Sequence, residues 1–198
     1  MPPRSLARLL LSTRALPLRA ALFQARAILR AARLGDDWAL QSSTRPQDVA
    51  ELLRLAAGRR TVVELGTATG WTAGALLLAE PERRLISYDP VVREHRDAYL
   101  ALLPGAARER LELVRAPGVE ARGEDVDLLF IDSSHDRDAT VAEVRAWQPR
   151  LAPGALVVLH DYGNPAYPGV AEAVEALGLD GRPHAGLYLW NTPLLSRP

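Results

Sequence analysis

Residues Val62 to Thr72 read VVELGTATGWT, an apolar run that ends in an acid, a glycine, three small residues and a second glycine. The β-branched start reads as a strand, and the segment after Gly70 as a helix, so the small residues form the turn between them. Gly66 lets backbone approach a ligand closely, and Gly70 opens a helix whose free amides attract an anion. A dinucleotide fold prefers a middle glycine that makes room for a pyrophosphate, and here Ala68 stands at that position. That disfavours a pyrophosphate, whereas a ligand presenting a carboxylate and a ribose needs less clearance. Asp89, 23 residues beyond Gly66, falls at the end of the next strand, where an acid accepts from both ribose hydroxyls.

Outward from this turn the chain alternates. Strands are predicted at Thr61 to Leu65, Leu85 to Tyr88, Leu111 to Val114, Val126 to Ile131, Ala155 to Leu159 and Gly186 to Trp190. Helices are predicted at Pro46 to Ala57 (capped by Thr44 or Ser43), Trp71 to Ala79, Val92 to Leu103, Ala139 to Arg150 and Val170 to Leu177. Alternation of this kind gives an α/β fold: three layers, a mostly parallel sheet with helices on both faces and an antiparallel last strand. Parallel strands point their carboxyl ends to one edge, where ligands bind. Four successive strands finish there in ionisable groups, namely Glu64 beside Gly66, then Asp89, then Asp132, then His160 with Asp161.

The 198 residues suffice for one domain with a substantial core, and all 24 basic residues are Arg. Zero net charge gives no general argument for a nucleic-acid partner, yet the first 35 residues carry seven Arg and no acid, leaving the rest at −7. Arg4, Arg8, Arg14, Arg19, Arg26, Arg30 and Arg33 interrupt every apolar stretch, so no transmembrane segment is expected. Leu6, Leu9, Leu10, Leu22, Ile28 and Leu29 give helical spacing, so one or two amphipathic helices are expected, broken near Pro17. The arm, residues 1–40, is expected to pack on the domain of residues 41–198 or on a second subunit as a homodimer contact, in preference to targeting or membrane binding. The absence of Cys fits a reducing, cytoplasmic location and excludes thiol chemistry.

VVELGTATGWT, ISYDP (86–90), VDLLFIDSSHD (126–136) and LAPGALVVLHDY (151–162) together resemble the successive motifs of class I S-adenosylmethionine (SAM)-dependent methyltransferases. They are most similar to small-molecule O-methyltransferases of the catechol and caffeoyl-coenzyme A type and to natural-product enzymes that methylate antibiotic sugars. The resemblance spans residues 41–191. It implies a Rossmann-like fold with an N-terminal helical arm, and SAM as cofactor. Glu64, Gly66 and Gly70 would line its methionine end, Thr72 hold the carboxylate, Asp89 the ribose, and Ala116 flank the adenine. Asp132 would close the list of cofactor contacts.

The resemblance also implies a reactive edge. Metal-dependent relatives hold a divalent cation, Mg or Mn or similar, with an acid after the fourth strand and an acid and an amide after the fifth. Here those positions are Asp132, His160 and Asp161, a donor set that suits Mn, Fe or Zn better than Mg. The alternative is local hydrogen bonding without a metal. His135, three residues past Asp132, stands where relatives carry a basic residue, so His135 and Asp132 are the catalytic candidates; the bland alternative makes His135 a cap for the following helix. The expected function is methyl transfer from SAM to a hydroxyl of a small-molecule acceptor. N-methylation on the same scaffold, a non-catalytic SAM-binding protein and a nicotinamide oxidoreductase are the rivals, the last disfavoured by the missing G-x-G-x-x-G.

Overall fold

The structure, a computed structural model, describes residues 5–193; residues 1–4 of the expected arm, Arg4 among them, and residues 194–198 lie outside the described residues. Among the described residues the helices are α1 Leu6–Ser12, α2 Leu18–Leu34, α3 Asp37–Ser42, α4 Pro46–Leu55, α5 Trp71–Ala79, α6 Arg96–Leu100, α7 Gly105–Arg108, α8 Arg137–Trp147 and α9 Pro168–Leu177. The strands are β1 Thr61–Leu65, β2 Arg84–Tyr88, β3 Leu111–Val114, β4 Val126–Ile131, β5 Leu151–Leu159, β6 Arg182–His184 and β7 Leu187–Asn191. They form one seven-stranded sheet in the order β3-β2-β1-β4-β5-β7-β6. β1 pairs with β4 and β4 with β5 in parallel, while β7 runs antiparallel to β5, the orientation predicted for the last strand.

Two compact units result, each with its own core. The sheet unit comprises residues 59–66, 86–90 and 113–193 and so contains most of the sheet with α8 and α9. Its core joins Val63, Leu65, Leu129, Val157 and Leu159 to Trp147, whose indole Nε1 donates to the Gly118 carbonyl at 2.7 Å. The helical unit, residues 5–58, 67–85 and 91–112, gathers α1–α7. Within it α2 lies against α5, and Gly74 is what permits the approach: a β-carbon there would collide with the Phe23 ring. Arg83 is buried in this unit, and its guanidinium donates to the carbonyls of Leu76 (2.7 Å) and Ala56, so the charge sits among aligned backbone dipoles.

Several elements differ from expectation. The helix predicted over Val92 to Leu103 is confined to Arg96–Leu100; the β-branched Val91 and Val92 disfavour an earlier start and are exposed. Neither Ser43 nor Thr44 caps α4. Arg45 holds that position with Pro46 next, and the Ser43 hydroxyl instead donates to the Ala39 carbonyl at 2.7 Å. β6 carries Pro183 and is three residues long, an edge strand that reads as a loop. In the arm the break at Pro17 holds, and of the residues that gave the helical spacing Leu9 and Ile28 are buried whereas Leu22 and Leu29 point to solvent; α2 buries Ala20, Phe23, Gln24, Ala27, Ile28 and Ala31.

Candidate functional site

The carboxyl edge of the sheet is built by ladder hydrogen bonds that run one residue past each strand. The amide of Gly66 donates to Tyr88 O, that of Asp89 to Val114 O, that of Asp132 to Leu65 O and that of His160 to Ile131 O, all between 2.8 and 3.0 Å. Glu64, Asp89, Asp132 and His160 are therefore held at register on adjacent strands. Gly66 has a second reason to be glycine: at φ +104° its α-carbon faces the Asp132 carbonyl, which a β-carbon would strike. The close approach required at Gly66 is thus to β4's own backbone.

Asp132, His135, His160 and Asp161 place one donor atom each within 4.8 Å of one another. His160 Nδ1 lies 2.9 Å from Asp132 Oδ1 and 3.3 Å from Asp161 Oδ2, and His135 Nε2 lies 3.1 Å and 3.4 Å from the same two oxygens. Asn164 steadies the far oxygen of Asp161, its Nδ2 donating to Oδ1 at 2.8 Å. His135 and Asp161 both sit in the left-handed backbone region, at φ 58° and 57°, which turns their side chains toward one another at the edge. Burial drives the Asp132 carboxyl upward, but the charges and hydrogen bonds of His160 and His135 outweigh it and leave it well below the usual carboxylate range. Asp161 is also lowered, its burial outweighed by hydrogen bonds from His160 and Asn164 and by the charges of His160 and His135.

Glu64 behaves oppositely. It is 1% exposed in the middle of β1, and burial raises its carboxyl to about 8 despite the 2.5 Å hydrogen bond from Ser87 Oγ; the nearby Asp132 and Asp89 charges add to the rise. Two carboxyl groups in one unit are thus driven apart, one kept ionised by imidazoles and one kept protonated by burial, the kind of divergence that marks functional sites.

His135 does not cap α8. Asp136 does, accepting from the Ala139 amide at 3.0 Å. Sequence reasoning also missed Tyr167, whose ring stacks on His135 at 4.4 Å and 24°, and Ser87 beneath Glu64. An aromatic residue in the loop after the HDY motif was the only available signal for the first. Ala116, assigned to the adenine, is buried in the sheet core. Gly70 and Thr72 belong to the helical unit, where Gly70 stands at φ 75° before α5 and the Thr72 hydroxyl bonds Thr44 Oγ1 at 3.3 Å.

A family profile described as "Methyltransferase domain" matches residues 63–162, from β1 through the HDY motif. The chain belongs to the methyltransferase-domain family. No curated protein matches this methyltransferase-family chain in sequence. Solved structures share its fold. The TDP-rhamnose 3'-O-methyltransferase of calicheamicin biosynthesis is 19% identical with a TM-score of 0.61, the match covering 94% of this chain and 90% of that one. The 1,6-didemethyltoxoflavin-N1-methyltransferase of Burkholderia thailandensis, with bound 1,6-didemethyltoxoflavin and S-adenosylhomocysteine, is 21% identical with a TM-score of 0.56, covering 87% and 88%. A methyltransferase from Geobacter sulfurreducens is 19% identical with a TM-score of 0.62, covering 86% and 89%. At these identities the likeness establishes the Rossmann-like class I methyltransferase fold.

Proposed function

We propose that the protein is a SAM-dependent O-methyltransferase acting on a hydroxyl of a small molecule, with its reactive centre at Asp132, His135, His160 and Asp161. The observation that carries this is the convergence of two imidazoles and two carboxylates on one point at the carboxyl edge of a methyltransferase fold. When bound, SAM supplies a methyl group on an electrophilic sulfonium. Asp89, at the end of β2, holds the ribose, and Glu64 with Gly66 lies along the methionine end. Ala116 joins them through the family resemblance. His135 receives the proton of the acceptor hydroxyl as its oxygen takes the methyl, and the Tyr167 ring stacked on the imidazole fixes its plane.

The same donors fit a divalent cation, since two nitrogen and two oxygen ligands suit Mn, Fe or Zn better than Mg. Bound by Asp132, His160 and Asp161, it would supply Lewis acidity to the acceptor oxygen. Because His135 Nε2 reaches both carboxylates, a second reading makes it a fourth ligand.

Calorimetry tests the cofactor: one site per chain for SAM or S-adenosylhomocysteine and none for NAD is expected, and tight NAD binding without a SAM response would overturn the reading. Asp89→Ala should weaken SAM by ~1 to 3 kcal/mol. Release of S-adenosylhomocysteine over a panel of hydroxyl and amine acceptors separates O- from N-transfer and both from silent binding. For the cation, chelator should abolish turnover and Mn restore it. His135→Ala should cut turnover by ~10² to 10⁴ with metal affinity intact if the imidazole is the base; a loss in metal affinity well beyond the ~10- to 100-fold typical of an outer-shell partner would make it a ligand.

A further inference from the structure

We propose that the outward face of α2 docks on an anionic phospholipid surface. The helix buries Ala20, Phe23, Gln24, Ala27, Ile28 and Ala31, which leaves Leu18, Leu22 and Leu29 on the opposite side, 74%, 57% and 39% exposed. At 3.6 residues per turn these three leucines fall within about 40° of arc, a continuous apolar stripe along the helix. Arg19, Arg26 and Arg33, spaced seven apart and all exposed, line one flank of it, with the partly buried Arg30 beyond them. No acid occurs on α2, nor anywhere in residues 5–35.

An apolar stripe set beside a row of guanidiniums is what an interfacial helix presents to a bilayer: leucines enter the boundary between headgroups and acyl chains while the arginines meet lipid phosphates. α2 cannot cross the membrane itself, and no helix among the described residues is long and apolar enough to do so. Two other occupants fit less well. A second copy pairing antiparallel along the leucine stripe sets arginine flank against arginine flank with no acid to answer them. A nucleic acid satisfies the arginines but leaves the leucine stripe without a partner.

The test uses the full chain with two kinds of vesicle, phosphatidylcholine alone and phosphatidylcholine mixed with phosphatidylglycerol, in co-sedimentation at low and high salt. The proposal expects partition onto the mixed vesicles, at least ~10-fold weaker partition onto the neutral ones, and loss of binding with added salt. Arg26→Gln with Arg33→Gln should lower partition ~10-fold or more, since each arginine near an anionic surface is worth about a fivefold factor. Leu22→Gln with Leu29→Gln should lower it comparably by removing the inserted stripe. All four positions lie on the exposed or outward side of α2, so circular dichroism and SAM binding should match the parent. Partition onto neither vesicle, or equal partition onto both, overturns the proposal. So does a dimer, seen by light scattering, that the leucine pair dissociates without any effect on vesicles; that result would assign the stripe to a second copy.

Discussion

Both units bury ionisable groups, and they do so in opposite ways. In the helical unit the partners of the Arg83 guanidinium include two backbone carbonyls, which cannot titrate. At the carboxyl edge of the sheet unit, Asp132 and Asp161 are answered by imidazoles and Glu64 by a serine hydroxyl, partners that can change protonation or be displaced. A charge held by fixed dipoles stabilises one structure, whereas a cluster of mutually adjustable groups can accept a ligand. The difference separates scaffold from site in a chain whose composition does not distinguish them.

The sharpest way to break this comparison is to remove one member from each side. Asp132→Asn should lower methyl transfer by ~10² to 10⁴, read as kcat/KM, and should also lower the melting temperature through loss of the imidazole pairs, while the protein stays folded. Arg83→Ala should do the reverse, destabilising by about 3 to 5 kcal/mol in urea because it leaves a cavity and two unanswered carbonyls. An Asp132 variant that unfolds, or an Arg83 variant that stays stable but is inactive, would reverse the assignment of scaffold and site. A smaller effect is expected at the α2–α5 contact, where Gly74→Val should cost about 1 to 3 kcal/mol through collision with Phe23.

Glu64 gives the finest test, and its sign is fixed. Its carboxyl is raised from the ordinary 4.5 to about 8 in the folded protein. The unfolded chain therefore releases this proton first as pH rises. Stability from this group is full below about pH 4.5, falls between there and about 8, and is flat above, with a slope of up to about 1.4 kcal/mol per pH unit. Urea titrations of the chelator-treated protein across that window should show the slope, and Glu64→Gln should flatten it. A Glu64→Gln protein with an unchanged slope would place the carboxyl among ordinary exposed acids.

Four β-to-edge transitions, each ending in a polar residue, are legible in the amino-acid sequence because apolar runs and their stops are local properties, whereas the order of the strands in the sheet is not. The sequence also brought Asp132, His135, His160 and Asp161 forward individually, since each follows a recognisable strand. What lay beyond it was side-chain direction and partnership. That His135 joins the two carboxylates depends on left-handed backbone at two non-glycine positions; that Tyr167 stacks on it depends on a loop fold; neither has a periodic signature. In the arm, leucine spacing announced a helix but not which side faces inward. The face was decided by Gly74, whose missing side chain admits Phe23 and so turns Leu18, Leu22 and Leu29 to the outside. Hydrophobicity fixes that a helix has an apolar side, but when two sides are apolar, only the shape of the surface it packs against selects one.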